Sequence, residues 1–281
     1  MDTNVLVGLL RLDLECRGFV ETTIREYTRL AGMCLDEHHG VVEGVTRENV
    51  VGWINAGATR SRKRWRWLSL RSLSRALNED GIIEEDPTAR ISMPQEIVTP
   101  QPIVSEADFA ALIAACSGNA ATDVRDRALI LTLASTGARR AEIAALRVVD
   151  VDLDSGTVLI RNGKGGRART AFLDSSSRRA LVKWLHRSGI GDGDHLWPGQ
   201  RGNPLTGDGV RQVLERRSRR AGVRVTAHQF RRRLAARWLL DGGSEVGLRA
   251  AAGWNSGAMV ARYAAMAATE VARTEHTRIF G

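Results

Sequence analysis

The sequence predicts a mainly α-helical protein in two parts, a helical N-terminal domain and a mixed α+β C-terminal domain with a small antiparallel sheet or hairpin. Three observations predict it. Apolar residues recur at helical spacing through the first 90 residues. Two short β-type runs flank the turn Asn162-Gly163-Lys164-Gly165-Gly166. Four of the six prolines, Pro87, Pro94, Pro100 and Pro102, fall within sixteen residues, where fixed φ and the missing N–H oppose a continuing helix. These place a first domain at 1–92, a linker at 93–102 and a second domain at 103–281.

Each element has a local reason. Val5, Leu9, Leu10, Leu12 and Leu14 sit at helical spacing, and a second helix spans Thr22 to Leu35 with Ile24, Tyr27, Leu30 and Leu35 on one face. Thr46 is placed to cap a third helix through Val50, Val51 and Ile54. A fourth runs from Ser61 to Asn78 on Trp65, Leu68, Leu70, Leu73 and Leu77, with Gly81 as its stop. In the second domain Ser105 and Asp108 resemble a capping box, and a helix from Asp123 ends at Ser135-Thr136-Gly137. A short helix covers Arg139 to Leu146. The strands are Thr157–Ile160 and Arg169–Leu173. Helices resume at Ser175–Leu185, Gly209–Ala221, His228–Leu240, Val246–Ala252 and Ser256–Ala268.

The 281 residues carry 41 Lys+Arg against 32 Asp+Glu, a net charge of +9. The excess is uneven. Residues 1–99 hold 13 cations against 15 anions, and residues 100–281 hold 28 against 17. A basic second domain points to a polyanionic partner. The first domain keeps one dense block, Arg60, Arg62, Lys63, Arg64 and Arg66, interleaved with Trp65 and Trp67. That block reads equally as a helix start lying on DNA or as a solvated basic end. No apolar run approaches the ~20 residues of a membrane span, and the N-terminus lacks the basic and small-residue features of a signal peptide. Cys16, Cys34 and Cys116 are sparse and odd in number, which argues for a reducing compartment, the cytoplasm by default, and against a structural zinc site.

The chemistry-bearing residues are scattered. Thr226 and Gln229 fit a helix N-cap, which brings His228 and Arg231 onto one face of a first turn, beside free backbone N–H groups. That is a place to hold a phosphate, with the arginine fork on two oxygens and the imidazole on a third. Arg139 follows the Thr136-Gly137-Ala138 turn, with Glu142 one helical turn on to orient it and Arg140 as a rival for the role. Lys164 stands at a glycine-flanked hairpin tip, where neighbouring arginines would lower its pKa toward that of a general acid. Tyr27 belongs to an apolar face; Tyr263 lies on a late helix, where a phenol needs cations to act as a nucleophile. Each taken singly has an ordinary structural reading.

Their order and spacing resemble the tyrosine recombinase (phage integrase) family. Thr136-Gly137-Ala138-Arg139-Arg140-Ala141-Glu142 matches the family's Thr-Gly-x-Arg-x-x-Glu box, giving Arg139 the first arginine role. Lys164 matches the hairpin lysine, and His228 with Arg231 the His-x-x-Arg box. Trp254 follows Gly253 at the family's His/Trp position, and Tyr263 comes nine residues later. The resemblance spans roughly residues 5–270, the first helices being similar to a core-binding domain. It implies that Tyr263 attacks a phosphodiester to give a 3′-phosphotyrosyl link, with Arg139 and Arg231 clamping the non-bridging oxygens. Lys164 would protonate the leaving oxygen, while His228 and Trp254 assist.

Neither metal nor other cofactor is implied. DNA contacts are expected from Arg60, Arg62, Lys63, Arg64, Arg66, Arg167, Arg216 and Arg217. Implied partners are double-stranded DNA core-type sites, a tetramer of this chain on DNA, with a C-terminal exchange arm at 269–281, and an accessory directionality factor. Two features depart from the commoner pattern. Trp254 stands where histidine is more usual, and the core-binding-like region starts near residue 1, leaving no room for an arm-binding domain. Both favour a minimal recombinase of a phage or other mobile element. A multimer resolvase, a type IB topoisomerase and a non-catalytic DNA-binding regulator are the alternatives.

Overall fold

The computed structural model describes residues 2–38, 45–95, 102–161, 168–199, 202–254, 257, 260, 261, 272, 273, 276, 277, 279 and 280. The chain divides into two compact units, Met1–Thr99 and Pro100–Gly281. Of the predicted elements, the hairpin tip 162–167 and most of the last helix, 256–268, lie outside the described residues.

The first unit holds α1 (Thr3–Cys16), α2 (Glu21–Glu37), α3 (Arg47–Asn55) and α4 (Arg60–Glu79). Side-chain caps fix their starts. Asp2 Oδ1 accepts from Val5 N at 3.0 Å, Thr46 Oγ1 from Asn49 N at 3.3 Å, and Thr59 Oγ1 from Arg62 N at 3.1 Å, each satisfying a donor the helix cannot. The buried face of α1 is Leu6, Leu10 and Leu14. This corrects the sequence reading, since Val5 and Leu12 are exposed; a strict four-residue stripe, one turn per step, faces Ile24, Leu30, Leu70 and Leu73 in a single core. Tyr27 is in that core, as expected.

The second unit holds α5 (Glu106–Ala114), α6 (Ala121–Thr136), α7 (Arg140–Ala144), β1 (Val151–Asp152), β2 (Thr157–Ile160), β3 (Arg169–Phe172), α8 (Ser175–Ser188), α9 (Gly207–Ala221), α10 (Ala227–Leu240) and α11 (Glu245–Ala252). The sheet is antiparallel in the order β1-β2-β3, with Val158 opposite Ala171 and Ile160 opposite Arg169. The two-residue β1 was not foreseen; so short a strand carries no periodicity to read. Alternation puts Val158, Ile160 and Ala171 on the core face and leaves Leu159 and Phe172 exposed. Buried α6 packs on α8 and α10 at the centre of this core.

One buried ionic cluster locks the helices together. Asp126, fully buried on α6, accepts from Arg125 Nη2 at 2.9 Å, Arg216 Nη2 at 2.7 Å and Arg217 Nε at 2.8 Å. Arg217 also donates to Asp123 Oδ1 at 2.6 Å and to the carbonyls of Ala115 and Thr122, both at 3.1 Å. The expectation that Arg217 contacts DNA is therefore corrected. Its side chain is 4% exposed and its guanidinium is satisfied by the protein interior, so no phosphate reaches it.

Candidate functional site

The site begins where α6 ends. Gly137 stops the helix in a left-handed conformation, φ 56°, which a glycine adopts without strain. A Cβ there would stand 2.8 Å from Leu234 Cδ2, so the end of that side chain would have to shift. The turn delivers Arg139 as the N-cap of α7. Buried Glu142 reaches back to accept from Arg139 N at 2.9 Å and, through its other oxygen, from Arg139 Nη1. The same carboxylate accepts from Arg169 Nη2 at 3.0 Å. Arg140, the rival, is exposed and takes no part in this contact, yet it borders the same cleft.

The start of α10 supplies the second group. Thr226 N donates to Gln229 Oε1 at 2.6 Å, half of the predicted capping pair. It places His228 and Arg231 in the first turn and a half. Arg231 is 3% exposed. Its Nη1 donates to Gly137 O at 2.9 Å, its Nη2 to Ala252 O, and its guanidinium lies 5.1 Å from the Trp254 ring centroid. Gly253, φ 64°, ends α11 and turns the chain into Trp254, which packs with Leu239, Leu248 and Val260. Three segments far apart in sequence thus meet at one guanidinium.

Arg139, Arg140, His228 and Arg231 border a cleft of about 750 Å³. His228 keeps an open face there. Partial desolvation, and then the positive charges of Arg232, Arg231, Arg139 and Arg140, lower its pKa below the usual 6.5, so the imidazole is neutral at pH 7 and able to accept a proton. Among the described residues no three His, Cys, Asp or Glu side chains gather as a metal would require, and no described helix is long and apolar enough to cross a membrane.

Of the sequence-derived site residues, Arg139, Glu142, His228, Arg231 and Trp254 come together in the second unit. Lys164, Arg167 and Tyr263 lie outside the described residues. Arg60, Arg62, Lys63, Arg64 and Arg66 occupy the first turns of α4 in the first unit. Arg62 reaches Glu26 at 3.4 Å, and Arg66 donates to Trp53 O while stacking 4.2 Å from the Trp53 ring centroid. Arg216 is half exposed and tied to Asp126. Sequence reasoning missed Arg169. The signal was available, because period-two alternation puts it on the face of Ala171 and hence against the core.

The chain is 31% identical over 198 residues to the protein named tyrosine recombinase XerC of Xanthomonas axonopodis pv. citri (strain 306), covering 66% of this chain and 64% of that relative, just under two thirds of its length. It is 27% identical over 249 residues to tyrosine recombinase XerC of Xylella fastidiosa (strain M23), covering 83% and 82%. A crystal structure of a lambda integrase dimer bound to a COC′ core site superposes with a TM-score of 0.76 at 16% identity, covering 94% of this chain and 77% of that one; this shows a shared fold. Residues 103–270 match the sequence profile of the Phage integrase family, and the chain belongs to that family.

Proposed function

We propose that this protein is a site-specific DNA recombinase that cuts and rejoins DNA through a 3′-phosphotyrosyl intermediate. The observation that carries the reading is the convergence of Arg139, Arg231 and a neutral His228 on one cleft. Two guanidinium groups held by Glu142 and by backbone carbonyls are preorganised donors for the oxygens of a phosphodiester. In the reaction Tyr263 Oη bonds to phosphorus and the bond from phosphorus to the 5′-oxygen breaks. His228 takes the phenolic proton, Lys164 protonates the leaving oxygen, and Trp254 supports Arg231 by packing. The covalent link conserves the ester, so neither ATP nor a metal enters. The reading extends to a core-binding role for residues 1–92, a linker at 93–102, a catalytic domain at 103–281 with an exchange arm at 269–281, assembly as a tetramer on DNA, a directionality factor and residence with DNA in the cytoplasm.

Integration and excision of a mobile element is the setting proposed first. A second, resolution of chromosome or plasmid multimers, is favoured by the likeness to proteins named XerC. The test is covalent trapping. A duplex selected from a random pool for tight binding is nicked near its centre and incubated with wild type and with Tyr263→Phe. A denaturant-resistant adduct lost in the variant supports the reading. Tight, specific binding with no adduct makes the protein a non-catalytic regulator. Strand exchange between two sites then separates a recombinase from a topoisomerase, and conversion of plasmid dimers to monomers separates the two settings.

A further inference from the structure

Arg169 opens β3 opposite Ile160, so its side chain turns to the core face of the sheet, where it is only 8% exposed. Nη2 donates to Glu142 at 3.0 Å, while Nε and Nη1 are buried with no acceptor among the described residues. Its aliphatic stem lies on Gly253: a Cβ there would stand 2.3 Å from Arg169 Cδ and 2.7 Å from Nε. A buried guanidinium with unmade donors is a poor way to stabilise a fold, since an apolar side chain of similar volume fills the same space without the desolvation cost. Burial and the nearby Arg139 charge pull its pKa down, and Glu142 opposes them. Its one side-chain hydrogen bond goes to the carboxylate that also holds Arg139, which borders the cleft.

We propose that Arg169 is a positioning residue of the cleavage reaction: it fixes Glu142, and through it Arg139, against the Gly253–Trp254 turn, and ties the strand that follows Lys164 to both. This rests on the recombinase reading. Glu142 has two oxygens. Arg169 occupies one of them and leaves the other to the Arg139 side chain. Without Arg169 that oxygen keeps only the Arg139 backbone N–H, and the single ion pair that remains draws the Arg139 charge back from the phosphate.

The test is single-turnover adduct formation at saturating concentration of the selected duplex. Arg169→Met is expected to slow adduct formation tenfold or more while DNA affinity stays within about twofold of wild type, and Arg169→Lys is expected to recover part of the rate. Because both act on Arg139, Arg169→Met and Glu142→Gln are expected to be non-additive, the double variant staying within about threefold of the slower single one. A merely structural role would lower affinity and thermal midpoint together and would give multiplying losses. Either that pattern or a wild-type rate in Arg169→Met overturns the proposal. Should Arg169→Met not fold, Gly253→Ala presses on the same side chain from the other side; a slowed rate that is non-additive with Arg169→Lys supports the role, and an unchanged rate overturns it. A wild-type chain that forms no adduct defeats the recombinase reading, and this inference falls with it.

Discussion

Replacing Arg217 with methionine separates a structural arginine from a DNA-binding one. Asp126 is fully buried and Arg217 nearly so, and removing one partner of a buried ion pair costs about 3–5 kcal/mol because the other charge stays out of water. Arg125 and Arg216 remain on Asp126, which puts the expectation at the low end, about 3 kcal/mol. In a unit of this size each kcal/mol lowers the melting temperature by about 2–4 °C, so the loss is about 6–12 °C. Hydrogen exchange of the α6 amides at 128–133 reads the second unit alone and is expected to accelerate to match. DNA binding, followed by fluorescence anisotropy across a salt series, is expected to keep its slope, because no phosphate contact is lost. The opposite pattern refutes the reasoning. A side chain on phosphate would shrink the slope of log affinity against log salt by about 0.9 per contact and leave the melting temperature in place.

Other substitutions test the remaining parts. Arg60 and Arg64 make no ion pair with a described residue, so Arg60→Ala with Arg64→Ala is expected to flatten the salt slope by up to about 0.9 per residue. Arg66→Ala, which removes a cation stacked on Trp53, is expected to lower stability instead; urea titration and anisotropy tell them apart. Gly137→Ala combines a left-handed residue, costing about 1–2 kcal/mol, with a clash at Leu234, and is expected to slow adduct formation because Gly137 O holds Arg231. An unchanged melting curve would contradict it. His228 has a lower pKa folded than unfolded, so the unfolded chain binds the extra proton as pH falls through 6.5. Wild type is therefore expected to lose stability relative to His228→Gln between neutral pH and pH values below the folded-state pKa; parallel stability curves would refute the shift.

What could be read from sequence was what the chain decides locally. The Gly137 stop, the reach of Glu142 back to Arg139 and the Thr226–Gln229 capping pair each lie within a few residues of one another, so spacing alone specifies them. The arginines show the limit. Arg167, Arg216 and Arg217 belong to one basic excess in the sequence, and only folding shows that Arg217 is spent on Asp123 and Asp126, more than ninety residues away. Composition counts a cation without knowing its acceptor. The exposed Val5 and Leu12 have the same origin: an apolar helix presents more than one stripe, and the partner helix chooses Leu6, Leu10 and Leu14.

The two arginines proposed to hold the phosphate are themselves held by different chemistry, and the difference sets the charge of the cleft. Arg231 is fixed by the carbonyls of Gly137 and Ala252. Neutral acceptors orient its fork. Arg139 is fixed by a carboxylate, which orients it equally well but cancels its charge. Arg169 restores the balance, because two guanidinium groups on one carboxylate keep a net positive charge where a single pair would keep none. With Arg231 the set carries two net positive charges against the single charge of a phosphodiester, the excess needed as negative charge builds on the phosphoryl oxygens. Desolvation, and then the charges of Arg232, Arg231, Arg139 and Arg140, keep His228 neutral at pH 7. Under the proposed reading, an arriving phosphate would offset those cations and raise the tendency of His228 to take a proton, so proton acceptance would strengthen with the substrate in place.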